Sequence, residues 1–294
     1  MFAVNRIKLG ISDAHPALVG ISLALASTAL FTLVGVLVRV LSDSVSPFQI
    51  LFFRQLVFVA ILLPAMLKLG KQLFNPFSVR LHLLRICGAF FALYLGFIAY
   101  ANLPFATATA LGFTQVLFVL FISKLFLSED ITASRVITIA VGFVGVIMVV
   151  QPENASLNYV LVGLTAALGA AVAVVCVRKM AAYESRTVLL SYQALFVGII
   201  ALVPCLFDWY WPTPREFGLL VCVGVISSVA QFIGVTAYKW AEANIVANVE
   251  YAKIIYSLII GYLLFAEVPN SLAIVGAVFI LMSAVIPFIK LRKE

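Results

Sequence analysis

Residues 244 to 267 hold the densest set of polar groups in an otherwise apolar chain: Asn244, Asn248, Glu250, Tyr251, Lys253, Tyr256 and Ser257 precede an almost unbroken apolar run. At about 100° per residue, Glu250, Lys253 and Ser257 fall on one helix face, and Asn244, Asn248 and Tyr251 on another. A helix polar on two faces does not look out at lipid there. Ionisable groups at depth in a bilayer face a bundle interior or a water-filled cavity. Glu250 and Lys253 are three residues apart and can pair. The cation suits a carboxylate and the acid suits an ammonium, so the pair fits a zwitterion. It also fits a plain salt bridge that neutralises itself and fixes helix packing, and both readings stand at this point.

Other polar groups lie inside apolar runs. Gln115 and Gln231, the latter near Ser227 and Ser228, read either as cavity groups or as interhelical hydrogen bonds, the latter worth roughly 0.6–2 kcal/mol. Arg54 either snorkels to a membrane edge or points into a vestibule and attracts carboxylates. Tyr94 and Tyr256 offer rings with a polar tip to an apolar or aromatic substrate group. Trp209, Tyr210 and Trp211 read as an interfacial belt. Glu129 and Glu267 end apolar runs and read as caps or tethers. Cys87, Cys176, Cys205 and Cys222 have no metal-like spacing and read as packing residues. His15 and His82 read as solvated. Neither a catalytic constellation nor a metal or cofactor motif stands out, so no enzyme activity and no cofactor is expected.

The elements that must position these groups are membrane spans. The chain has 294 residues, 64% hydrophobic and 11% charged, against roughly 25% charged in soluble domains. Apolar runs of spanning length recur throughout, predicting an all-α integral membrane protein with ten transmembrane helices near 17–39, 47–68, 84–102, 106–126, 134–151, 157–178, 187–207, 216–239, 244–266 and 270–290. Turn chemistry separates most of them, as at Asn75-Pro76, Asn102 to Pro104 and Pro269-Asn270. The first run is of spanning length and reads as a retained helix rather than a cleaved signal.

With the N-terminus in the cytoplasm, fifteen Lys and Arg residues fall on the inner side and only Arg39 and Arg215 on the outer side. That bias predicts both termini inside. The net charge of +7 then faces the cytoplasmic leaflet, and no nucleic-acid partner is implied.

An internal repeat appears at an offset of 138 residues. Gly96, Ala99 and Tyr100 meet Gly234, Ala237 and Tyr238, and Leu120, Leu125 and Glu129 meet Leu258, Leu263 and Glu267. Gln115 is the mate of Lys253, which suggests equal depth on opposite sides of one shared cavity. Five spans per half invert the second half, predicting halves 1–152 and 153–294 with a site near the midplane between them.

The run Leu125-Phe126-Leu127-Ser128-Glu129 before a span with Gly142 and Gly145, and Leu263-Leu264-Phe265-Ala266-Glu267 before a span with Gly276, resemble the EamA branch of the drug/metabolite transporter superfamily. Ser128 and Ala266 stand where that family often has Gly, and Ser283 where a second Gly is common. The resemblance covers essentially the whole chain. It implies two inverted five-helix halves and export of small metabolites, in a manner similar to the family's ten-span amino-acid exporters.

The resulting expectation is a secondary transporter in the bacterial inner membrane, exporting small amphipathic metabolites, amino acids foremost, by alternating access. Its partners are membrane lipid and a small-molecule substrate. Lys253, Glu250, Gln115, Tyr94, Tyr256, Gln231 and Arg54 are its candidate substrate contacts. The alternatives are efflux of cationic drugs, which Lys253 opposes, and a non-transporting scaffold or receptor, which the mid-depth polarity opposes. The oligomeric state stays open, a monomer included. The charge bias makes one direct prediction. A cytoplasm-only reporter fused to the C-terminus is active and a periplasm-only reporter silent; the reverse pattern refutes the topology.

Overall fold

The apolar segments become helices because a chain in lipid must satisfy its backbone hydrogen bonds within each segment. The computed structural model describes residues 16–70, 73, 75–127, 133–151, 156–180, 183–237, 240 and 249–291. Among them the helices are α1 Pro16–Leu41, α2 Pro47–Leu69, α3 Val79–Asn102, α4 Phe105–Leu127, α5 Ala133–Val150, α6 Leu157–Met180, α7 Arg186–Cys205, α8 Pro214–Ala237, α9 Ala252–Phe265 and α10 Ser271–Leu291. Seven are long and apolar enough to cross a membrane. The described apolar stretches of the other three, Val136–Val150, Ala252–Phe265 and Ser271–Ser283, are shorter. Serine N-caps start several of them. Ser46 Oγ accepts from Gln49 N at 3.3 Å, Ser78 Oγ from Leu81 N at 3.4 Å and Ser185 Oγ from Val188 N at 3.3 Å.

The helices pass back and forth, so Pro16 and Leu291 lie at one end of the bundle, here the terminal face. The opposite end is the distal face. Helix pairing follows an inverted repeat. The members of α2–α7, α5–α10 and α4–α9 hold the same rank in the two halves and pack on each other. The pairs α3–α6 and α1–α8 interchange when the halves are swapped. Phe113 of α4 stacks on Tyr251 just ahead of α9, ring centroids 5.3 Å apart. These two residues are 138 positions apart, so each is the other's repeat mate, and the pseudo-two-fold axis runs through the pair.

Two crossings bring backbones together. A Cβ on Gly88 would lie 2.6 Å from Gly169 O, and one on Gly169 2.7 Å from Gly88 O. Gly145 and Gly276 repeat the arrangement, each with 2.6 Å to the other's carbonyl oxygen. Only glycine admits this approach, and small residues at helix interfaces are what membrane bundles use to pack.

Three sequence expectations need correction. The third span starts at Val79, not 84. His82 and Arg85 do not mark a solvated edge; they are 2% and 3% exposed, inside α3. His82 is therefore buried, not solvated. Its Nε2 lies 2.7 Å from Glu184 Oε2, a partner supplied by the turn ahead of α7. The ninth span is not one continuous helix: among the described residues a turn at Glu250 and Tyr251 precedes the helix Ala252–Phe265. Ahead of it Lys253 N bonds Glu250 O and Ile254 N bonds Tyr251 O, both at 3.1 Å, the tighter i→i−3 pattern of a turn. Asn244, Asn248, Glu129 and His15 lie outside the described residues.

The end of α9 carries strain. Ala266 sits in the left-handed region, φ 54° and ψ 28°, while Glu267 N returns to Gly261 O at 3.0 Å. A Cβ is disfavoured there. Ala266→Gly is expected to raise the thermal midpoint of the purified protein, by about 1 kcal/mol of stability. Gly88→Ala and Gly145→Ala are expected to lower it by about 1–3 kcal/mol each through overpacking. Gly112, with nothing within 4 Å of its Cβ position, tolerates the same change without a fall. Equal midpoints for all three glycine variants would refute the close crossings.

Candidate functional site

The turn ahead of α9 decides how Glu250 and Lys253 are presented. Lys253 Nζ lies 3.4 Å from Glu250 Oε2, with side chains 26% and 53% exposed. Glu250 therefore precedes the helix, and its side chain is not sealed within the bundle. Lys253 Nζ also stands 5.8 Å from the centroid of the Phe31 ring on α1, within cation–π range. The cation thus bridges the second half to the first, two residues from the Phe113–Tyr251 stack.

Gln115 follows Phe113 by two residues on α4, and Lys253 follows Tyr251 by two on α9. The helices run antiparallel, so the two depart from the ring pair in opposite directions and end about 6 Å apart along the bundle. They lie at equal distances on either side of the midplane rather than at one level. Gln115, Gln231 and Tyr256 are each partly buried, and none hydrogen-bonds another described residue.

Tyr94 is part of an aromatic stack. Its ring lies 4.0 Å from Phe48 at 19° and 5.6 Å from Phe90 at 7°. Arg54 is 4% exposed, so it does not snorkel to an interface. It shares a face of α2 with Ile50 and Leu51, which belong to an apolar core completed by Val38 of α1, Ile86 of α3, Val197 of α7 and Val223 of α8. Tyr94 packs against the same core. The seven candidates thus form two groups: Glu250, Lys253, Tyr256 and Gln115 about the α4–α9 axis, and Arg54 with Tyr94 in the distal half. Gln231 belongs to neither. A cavity of about 200 Å³ opens near the distal face between α4, α5, α9 and α10, lined by Thr107, Ser257, Glu267 and Asn270 among others. None of the seven lines it.

Several functional contacts escaped the sequence reading. Glu267 was expected as a tether, but its partners were not foreseen. Its Oε1 pairs with Arg39 Nη1 at 2.7 Å and its Oε2 accepts from Phe105 N at 2.7 Å. Arg39 Nη1 also donates to Leu103 O at 3.0 Å, and its guanidinium lies 4.3 Å over the Phe265 ring. Toward the terminal face Arg85 donates to Leu189 O and, at 2.8 Å, to Gln193 Oε1. The signal for it was present: His82 and Arg85 are three apart and lie on one face of a helix capped by Ser78. Of the aromatic belt, Trp211 is exposed, whereas Trp209 packs against Phe52, Phe53 and Trp211 with its Nε1 buried.

The EamA-like transporter family matches the chain twice, over residues 18–151 and 157–289. The pseudopaline exporter CntI of Pseudomonas aeruginosa is 32% identical over 272 residues, covering 90% of this chain and 94% of that protein. The S-adenosylmethionine uptake transporter of Rickettsia conorii is 28% identical over 265 residues, covering 90% of each. A solved crystal structure superposes with a TM-score of 0.66 at 18% identity, over 94% of this chain and 98% of the other, which shows a shared fold. With two matches that fall on the two five-helix halves of the bundle, the chain belongs to the EamA-like transporter family, and it is a multi-pass membrane transporter rather than an enzyme.

Proposed function

We propose that this small-metabolite transporter exports amphipathic molecules of the amino-acid type from the cytoplasm, by alternating access between the halves 1–152 and 153–294. The terminal face, where the Lys and Arg excess lies, is the cytoplasmic one in this reading. The membrane is the bacterial inner membrane. The observation that carries the proposal is the placement of Lys253: a partly exposed cation beside the pseudo-two-fold axis, 3.4 Å from one acid and 5.8 Å from the ring of Phe31. A zwitterion with an apolar side chain meets all three needs there. Its carboxylate takes Lys253, its ammonium takes Glu250, and its side chain takes the aromatic lining.

The relatives support a small-molecule substrate and differ in direction, one named an exporter and one an uptake transporter. Export is favoured here because the groups that would receive the zwitterion stand on the turn at the terminal side of α9. Efflux of cationic drugs is disfavoured by the positive charge of Lys253.

The test is flux of radiolabelled amino acids into liposomes of defined protein orientation, beside thermal stability. A pair as exposed as Glu250–Lys253 contributes about 0–1 kcal/mol, so Lys253→Met and Glu250→Gln keep the midpoint near that of the unmodified protein. Flux, however, is expected to drop at least about tenfold in Lys253→Met, equivalent to about 1.4 kcal/mol of lost interaction, and less in Glu250→Gln. Full flux in Lys253→Met would remove that residue from the binding site.

A further inference from the structure

Arg54 is the eighth residue of α2, about 10 Å in from the distal end. It is 4% exposed, and its Nη1 has no hydrogen-bond partner. Among the described residues it forms no ion pair. Every described acid lies at or near a helix end: Asp43, Glu184, Asp208, Glu216, Glu250 and Glu267. The next residue, Gln55, is fully buried with neither amide atom bonded. A buried cation without a counter-charge is costly, and such a group persists where something else supplies the anion.

The repeat sharpens the point. At the repeat offset of 138, Gln55 of α2 corresponds to Gln193 of α7. Gln193 is satisfied by Arg85 of α3 at 2.8 Å. At the repeat offset, Arg85 corresponds to Val223 of α8, with Leu220 one turn before it, and both are apolar and fully buried. The guanidinium–amide couple that is complete toward the terminal face thus lacks its second member toward the distal face. Around Arg54, α2 turns Gln55 toward Gly198 of α7 and Val57 toward Gly224 of α8, so Arg54 points between those two helices.

We propose that Arg54 and Gln55 form a carboxylate-binding subsite in the distal half of the transport path. A guanidinium fork beside a carboxamide donor matches the planar, two-oxygen geometry of a carboxylate. Lys253 stands 12 residues from the distal end of α9, about 18 Å, so Arg54 lies about 8 Å further along the route. The carboxylate received at Lys253 passes to Arg54 before release. The identity of the occupant rests on the transport reading above; the anion chemistry of the subsite does not.

The experiment measures the thermal midpoint of the purified protein in a non-ionic detergent, at fixed ionic strength, with 3-phenylpropionate, with its neutral isostere 3-phenylpropanamide, or with chloride alone. The propionate is expected to raise the midpoint by several degrees, and neither the amide nor chloride to do so. Arg54→Met is expected to match or exceed the unmodified protein without ligand, because a lone buried charge is gone, and to lose the propionate effect. Lys253→Met retains a propionate effect that belongs to Arg54, and the double variant has none. A propionate effect that survives in Arg54→Met overturns the proposal. So does an equal response to chloride. If Arg54→Met yields no folded protein, Arg54→Lys decides: it keeps the charge but not the fork and must bind propionate at least tenfold more weakly, and unchanged affinity overturns the subsite. Failure of the transport reading shows elsewhere, as Arg54-dependent propionate binding in a protein that moves no amino acid across liposomes.

Discussion

Helices in a bilayer gain nothing from burying apolar surface against each other, because lipid is as apolar as leucine. What remains is close packing and a few polar contacts. In this protein the packing is concentrated where Gly88 meets Gly169 and Gly145 meets Gly276, with carbonyl oxygens 2.6–2.7 Å from where a Cβ would stand. Both contacts join the first half to the second. Once these backbones cross, the remaining geometry follows from the inversion. Helices of equal rank meet each other, α3–α6 and α1–α8 interchange, and the ring pair Phe113–Tyr251 falls on the axis. A residue's distance from that pair then fixes where its mate lies on the other side.

Polar contacts at the two faces act on the same divide. At the distal face Glu267 binds Arg39 and Phe105 N, Ser44 donates to Glu216, Gln49 Nε2 donates to Tyr210 O at 2.6 Å, and Gln151 and Asn270 exchange bonds at 2.7 Å. Each of these joins one half to the other. Toward the terminal face His82 meets Glu184, Tyr192 Oη donates to Leu73 O, and Arg85 donates to Gln193. Interhelical hydrogen bonds in membranes average about 0.6 kcal/mol. A handful on one face amounts to a few kcal/mol, the scale at which a two-state protein keeps its minor conformation populated. Parting either face is therefore within reach of a ligand with differential affinity for the two states, as the proposed alternation demands.

Much of this was written in the sequence because the bilayer imposes it. Spanning runs and the turn residues between them place most helix ends within about two residues, the usual uncertainty of such boundaries. The repeat offset placed a site between the halves through Gln115 and Lys253, two residues beyond the ring pair Phe113–Tyr251 that the structure puts on the axis. What failed to read through was polarity at helix ends. Hydropathy treats His82 and Arg85 as edge residues, since a window average cannot know that Glu184 and Gln193 arrive from another helix to satisfy them. The ninth span looked continuous because Ala, Asn and Val are compatible with a helix, yet the chain turns at Glu250 and Tyr251. Arg54 was legible as an intramembrane charge. Its burial was not, because snorkelling depends on which way α2 faces, and that is set by α7 and α8.

The mates of the two interior cations share one feature. Lys253 in the second half corresponds to Gln115 in the first, and Arg54 in the first corresponds to Tyr192 in the second. A perfectly symmetric repeat would place two cations around the axis at each level, doubling the desolvation cost and adding like-charge repulsion. A neutral residue at each mate position, Gln115 or Tyr192, keeps a hydrogen-bond donor there and removes the second charge. It also makes the two faces unequal. With identical halves the conformations open to either side would have equal energy by symmetry, and a carboxylate would be held equally well near both. With Lys253 near the axis and Arg54 toward the distal face, the positive charge is offset along the route instead of balanced across it, so an anion meets different interactions at successive depths. The inverted repeat supplies the two-sided scaffold, and in the proposed transport path its departures from symmetry at these four residues are what would make the charge pattern direction-dependent.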